Sequence, residues 1–145
     1  MKDNNKPKRK GAGCLIVVMV IFVVLAVGGG IGWSFISKEH NEAANVTLDA
    51  IDFGGLNDGK YHGVYEGGMY KWRVNECDVT VKDGKVVDIQ LVGSQDPGAE
   101  NTEYEILYDR VTKAQSLNVD TISGATLTSK AYLKAVENAL LQASQ

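Results

Sequence analysis

The sequence predicts an α+β domain, an antiparallel sheet with helices packed on it, preceded by one N-terminal transmembrane helix. Three observations carry this reading. An uncharged apolar run fills Cys14–Ile36, apolar residues alternate on either side of Asp83-Gly84, and two amphipathic runs follow, with the small, hydroxyl-rich stretch 120–129 between them. Strands that precede helices rather than alternating with them give segregated layers.

At 145 residues, 44% hydrophobic and 23% charged, the chain has room for one small folded domain. Its net charge of -3 hides a split. Up to residue 36 there are five basic side chains against Asp3 alone, whereas the remainder has ten basic and 17 acidic ones, a balance of -7. Two environments are implied, and nucleic acid is not an expected partner of the acidic part. Residues 1–13 form a basic tail. The 23 residues 14–36 would span about 35 Å as a helix, enough for a hydrocarbon core of about 30 Å. With the basic cluster before the run and Trp33 near its far end, the N-terminus is expected in the cytoplasm and the rest outside, single-pass in the cell membrane. Ala26 and Gly28 also have the spacing of a signal-peptide cleavage site, but the apolar run continues past it.

Residues 37–57 read as a polar extracytoplasmic linker with scattered apolar residues, at most one short ordered piece and a glycosylation sequon, Asn45-Val46-Thr47. The folded domain is placed at 58–145. His40 and His62 have no second ligand at metal spacing, so both are expected at the surface and no metal site is expected. Cys14 and Cys77 fall in different environments and do not suggest a disulfide; Cys77 reads as a small buried hydrophobe.

Asp58-Gly59 opens the first strand, where glycines such as Gly63 mark a bulge or a close approach of a ligand or another backbone. Between Tyr70 and Lys82 the apolar parity changes, from Trp72 and Val74 to Cys77, Val79 and Val81, which predicts a β-bulge near Asn75-Glu76. Asp83-Gly84 is a two-residue hairpin turn, and the returning strand shows Val87, Ile89 and Leu91 on one face. Tyr65, Tyr70 and Trp72 are core or strand residues first and aromatic stacking candidates second.

After the loop Gly93–Gly98, Thr102 and Glu105 form a capping box, and Tyr104, Leu107, Tyr108, Val111 and Ala114 repeat at helical spacing, giving a helix over 102–115. The last helix, Lys130–Ala143, buries Tyr132, Ala135, Val136, Ala139, Leu140 and Ala143. Asp120-Thr121-Ile122-Ser123-Gly124-Ala125-Thr126-Leu127-Thr128-Ser129 leads into it. Small residues let a ligand approach the backbone, and the unpaired N–H groups and dipole of a helix N-terminus favour a phosphate at Thr126. Plain capping by Thr128 or Ser129 is the competing reading.

These pieces together, Asp58-Gly59-Lys60-Tyr61 with Gly63, Val79-x-Val81-Lys82-Asp83-Gly84-Lys85-Val86, and Asp120-x-x-Ser123-Gly124-Ala125-Thr126 with Thr128-Ser129, resemble the FMN-binding domain found in the covalent-flavin subunits of sodium-pumping quinone reductases and Rnf complexes. The resemblance covers Asp58 to about Ala143 and is to compact single-domain members. It implies FMN bound covalently as a phosphoester on Thr126, with Thr128 the alternative hydroxyl. Ser123, Gly124 and Ala125 would form the cofactor turn and Lys130 would add a positive charge. It also implies a flavin transferase of the ApbE type, acting from FAD with Mg²⁺ and recognising the motif that contains Asp120. Gln95-Asp96-Pro97-Gly98 stands where family members often have Glu-Thr-Pro-Gly near the flavin ring.

The function expected is that of a membrane-anchored extracytoplasmic flavoprotein relaying electrons between a donor and an acceptor, a carrier rather than an enzyme with its own substrate. No nucleophile-base-orienter set is visible, and no catalytic residue is assigned. A flavin-dependent reductase of a small molecule and a non-redox binding module are the alternatives.

Overall fold

A computed structural model describes residues 11–68, 71–95 and 103–145. The basic tail before Gly11, Tyr70, the Asp96-Pro97-Gly98 part of the loop and Thr102 of the capping box lie outside the described residues. The chain divides into two compact units, one ending at Lys38 and the other Glu39–Gln145.

The first unit holds the apolar length of helix α1, Gly11–Ala44. The helix runs past Ile36, where polar composition predicts a tether, because Lys38, Glu39, Glu42, Ala43 and Ala44 are good helix formers and no Gly or Pro interrupts them. Over Leu15–Lys38 it is long and apolar enough to cross a membrane. The consecutive residues Val18, Met19, Val20 and Ile21 are all exposed, so the helix is apolar all round rather than on one stripe. A signal sequence has the same length and composition, so this helix is a membrane anchor or a signal sequence.

The second unit contains a three-stranded antiparallel sheet in the order β1-β2-β3, with β1 at Gly59–Tyr65, β2 at Asn75–Lys82 and β3 at Lys85–Ser94. Asp83 and Gly84 both have positive φ, 53° and 69°, as a type I′ hairpin between β2 and β3 requires. One carboxylate oxygen of Asp58 accepts the Gly84 N–H at 2.9 Å, so the residue that opens β1 also fastens the neighbouring turn. Hydrogen bonds from the backbone of Gly84 and then Asp83 hold that carboxyl below the usual carboxylate range.

Buried residues in β2 are Asn75, Cys77, Val79 and Val81, one unbroken alternation. The parity change in the sequence therefore marks the start of the strand, since Trp72 and Val74 precede it. The register does shift at Glu76/Cys77, and again at Thr80/Val81. In both places β3 supplies the extra residue: Val92 between the partners of Glu76 and Cys77, and Val87 between those of Thr80 and Val81. This corrects the expected face of β3. The bulge turns Val87 outward and brings Val86 into the core beside Ile89.

Helix α2 is Glu103–Ala114 and packs on β3; helix α3 is Thr126–Ala143 and lies across β1 and β2. All six residues expected on the inner face of α3 are buried, with Leu133 and Ala131 beside them. Gly63 is where α3 comes closest to the sheet. A Cβ there would stand 2.0 Å from the Ala135 carbonyl oxygen and 2.9 Å from Ala139 Cβ, so the close approach that this strand glycine signals is that of another backbone. Leu56 is part of the core, and Leu48, Ile51 and Phe53 pack against it.

Glu137 is completely buried on α3. Its carboxylate accepts from Lys134 Nζ at 2.9 Å and from the Asp49 N–H at 3.2 Å, and Lys134 also donates to the Thr47 carbonyl at 3.2 Å. A buried carboxylate persists when it is paired and hydrogen-bonded in this way, and here the pairing fastens 47–49 to α3.

Candidate functional site at the entrance to α3

The approach to α3 is a tight turn. Ala125 N–H donates to the Ile122 carbonyl at 3.0 Å, and Gly124 has φ +81° at the third position, where a type II turn needs glycine. A Cβ added at Gly124 would meet nothing within 4 Å, so the glycine is there for its backbone conformation and leaves open space beside the turn.

Two contacts hold this turn in place. The Ile122 N–H donates to Ser129 Oγ at 3.1 Å, and Ser129 is only 2% exposed. From α2, Arg110 Nη1 donates to the carbonyl of Asp120 and, at 3.5 Å, to that of Thr121. Neither role was legible beforehand. Arg110 reads as the polar side of an amphipathic helix, and its partner is a backbone carbonyl, which has no signature in a sequence.

Plain capping by Thr128 or Ser129 does not occur. The N-cap is Ala125, which has no side-chain acceptor, and Ser129 spends its hydroxyl on Ile122. The first helical bond runs from Ser129 N–H to the Ala125 carbonyl at 2.8 Å. Thr126, Leu127 and Thr128 thus present the N–H groups that a helix start leaves unpaired. Thr126 is exposed at the first helical position. Open donors at the positive end of an 18-residue helix suit a phosphate.

The other sequence-predicted residues are distributed around this point. Ser123 and Gly124 are exposed on the turn, Ala125 and Thr128 are half-buried, and Asp120 is exposed upstream. Lys130 is engaged elsewhere: its ammonium donates to the Ala44 carbonyl at 2.8 Å. It also borders a cavity of about 430 Å³ with Thr121, Val119, Leu48, Ile51 and Phe53.

A smaller cleft of about 110 Å³ lies on the α2 side, between Glu103, Tyr104, Ile122, Ala125, Thr128 and Tyr132. Tyr104, Tyr108 and Tyr132 form one aromatic cluster, with ring centroids 5.8 to 6.2 Å apart. Tyr104 and Tyr132 are the aromatic residues beside the turn, and the helical spacing had marked them only as core. Tyr65 packs on the core and Trp72 is 45% exposed.

Cys77 is fully buried, and burial pushes its thiol up to about 12. Burial likewise raises the Tyr108 phenol. His62 is exposed, with Nδ1 2.8 Å from Asp78 Oδ1 and Nε2 3.6 Å from Glu76.

Residues 71–141 match the family model of the FMN-binding domain, a stretch that contains β2, β3, α2, the turn and most of α3. The chain is 38% identical over 63 residues to an NADH:acrylate oxidoreductase of Vibrio harveyi, which takes in 43% of this chain and 6% of that protein. It is 36% identical over 69 residues to an NADH:fumarate oxidoreductase of Klebsiella pneumoniae (strain 342), covering 47% of this chain and 8% of the other. An uncharacterized protein of Treponema pallidum (strain Nichols) is 30% identical over 139 residues, 93% of this chain and 38% of that one. The chain thus spans well under half the length of each of these relatives. A crystal structure from Clostridium perfringens has a TM-score of 0.48 and 20% identity, covering 61% of this chain and 88% of that one. The match over residues 71–141 makes the chain an FMN-binding domain protein, distantly similar to the NADH:acrylate and NADH:fumarate oxidoreductases.

Proposed function

We propose that this protein carries FMN as a phosphoester on Thr126 and relays electrons between a redox donor and an acceptor. The observation that carries the reading is the uncapped start of α3, where an exposed threonine hydroxyl stands beside unpaired backbone donors within a matched FMN-binding domain. A flavin supplies one- and two-electron chemistry, while the protein supplies attachment, orientation and electrostatics.

This chain's residues divide that work. The Thr126 hydroxyl is the attachment point, and the N–H groups of residues 126–128 stabilise the phosphate charge. Gly124 keeps the approach open. Arg110 and Ser129 fix the backbone on either side of the turn, and half-buried Tyr104, backed by buried Tyr132, offers aromatic surface next to it. Attachment follows a balanced exchange: the Thr126 oxygen bonds to the FMN-side phosphorus of FAD, the pyrophosphate bond breaks, and AMP leaves as the hydroxyl proton is lost. A flavin transferase of the ApbE type with Mg²⁺ performs it, and exposed Asp120 is available to that enzyme. Helix α1 as an anchor, with the domain outside the cell membrane, would keep the flavin beside a membrane donor.

The two oxidoreductase relatives suggest a reductase role as the second reading. Since the chain corresponds to 6% and 8% of those proteins, it would be the flavin-carrying part, completed by a partner that binds the acceptor.

The test is intact mass with peptide mapping of the full chain co-expressed with a flavin transferase, beside Thr126→Ala. FMN less one water, mapped to Thr126 and missing from the variant, is expected. An unmodified chain despite an active transferase would overturn the covalent reading, and adduct at Thr128 would move the site.

A further inference from the structure

The two edges of the sheet are treated differently. On β1, carboxamides from α3 occupy the edge: Asn138 Nδ2 donates to the Val64 carbonyl at 2.8 Å and Gln142 Nε2 to that of His62 at 2.7 Å. On β3, one residue is covered in this way. Gln115 sits just after α2 with φ +47°, a left-handed conformation that is unfavourable for a residue with a Cβ. Its amide accepts the Val86 N–H at 3.0 Å and donates to the Val86 carbonyl at 2.7 Å, the pair of bonds that a neighbouring antiparallel strand would make.

Beyond Val86 the edge runs into a groove. Five consecutive β3 residues, 87–91, line a cavity of about 470 Å³. Consecutive strand residues point to opposite faces, so a groove that all of them border follows the strand's edge. Its far wall is one stripe of α2: Tyr104, Glu105, Tyr108, Asp109 and Thr112. A strand edge with unpaired N–H and C=O groups beside a helix wall is the geometry in which an extended peptide adds a strand.

Charge selects the occupant. Among the described residues the groove is lined by Asp88, Glu105 and Asp109 and by no basic side chain. Asp109 is paired with Lys113, which leaves Asp88 and Glu105 without an ion-pair partner among the described residues. A second copy would set these carboxylates against their own kind. Exposed Val87 adds an apolar patch at one end. We infer that the β3–α2 groove binds an extended basic segment of a partner protein as a fourth strand, with Lys or Arg reaching Asp88 and Glu105. Five strand residues cover about 17 Å, room for one short strand. This inference does not depend on the flavin.

The test uses the full chain in non-ionic detergent and a capped peptide of four Lys-Val repeats. Saturable binding is expected, with amide hydrogen exchange in β3 slowed at least about tenfold and exchange in β1 unchanged. Asp88→Lys with Glu105→Lys, both exposed sites that leave the core intact, should weaken binding by about tenfold or more. Alternate N-methylation of the peptide backbone should abolish it. The inference is overturned by unchanged β3 exchange at saturating peptide, by equal binding of a Glu-Val peptide, or by equal binding of the N-methylated one. Self-association through β3 that the peptide does not displace would also overturn it, by making a second copy the occupant.

Discussion

Ile122 and Ser129, seven residues apart, are joined by a hydrogen bond from the Ile122 N–H to Ser129 Oγ at 3.1 Å. It links the residue that starts the type II turn to the first turn of α3, so the conformation of the chain around Gly124 is set by a side chain inside the helix that follows.

Ser129→Ala and Thr126→Ala should therefore separate structure from attachment. The first leaves the Ile122 N–H without its partner and is expected to cost about 1–3 kcal/mol, with lowered flavin loading. The second removes an exposed hydroxyl and should stay within about 0.5 kcal/mol of the parent while losing the flavin adduct. Urea midpoints and absorbance near 450 nm on both variants, relative to the parent at about 1:1 flavin loading, check this. Equal stability of the two variants would mean that the Ser129 bond does not hold the turn.

Gly63→Ala addresses the fold. The new methyl would have to displace the Ala135 carbonyl, 2.0 Å from its position, so α3 must move away from β1. The expected loss is at least about 3 kcal/mol, the upper end of overpacking costs. A thermal melt at or near the parental temperature would contradict the packing of α3 on β1.

Cys77 offers a chemical probe of the same core. With its thiol pushed up to about 12, the thiolate fraction at pH 8 is about a thousandfold below that of an unfolded cysteine with pKa about 8.5. In a Cys14→Ser background, alkylation of Cys77 should be slow and become fast in denaturant. Rapid labelling of the native protein at pH 8 would contradict the burial.

Much of this molecule could be read from its residues, and the reasons for the exceptions are physical. The hairpin at Asp83-Gly84 and the inner face of α3 follow from local conformational demands and periodicity, whereas α3 begins at Thr126, ahead of the Lys130 that periodicity gives. Val87 lies on the opposite face from Ile89, against simple alternation, because a bulge is a relation between two strands and has no signature in either alone. The capping reading of Ser129 failed because its hydroxyl bonds an N–H before the turn. Arg110, Gln115 and Glu137 escaped notice because each bonds backbone groups or a residue distant in sequence: Asp120, Val86 and Asp49.

Acid sensitivity should run through Asp58. Its folded-state carboxyl is held below the ordinary carboxylate range, first by the Gly84 N–H and then by that of Asp83. A depressed carboxyl contributes stability that is fully present above its unfolded pKa, about 3.9, and is lost as pH falls through the lower folded value. Asp78 adds to the same slope, since hydrogen bonds from His62 and then Lys60 also hold its carboxyl low. Asp58→Asn keeps an oxygen for the Gly84 N–H but removes the charge that protonation would cancel. The variant should be less stable than the parent at pH 6, and the gap should close as pH drops below about 4. Urea midpoints from pH 6 to pH 2.5 measure this. A gap that stayed constant across the series would mean that the Asp58 charge does not hold the hairpin turn.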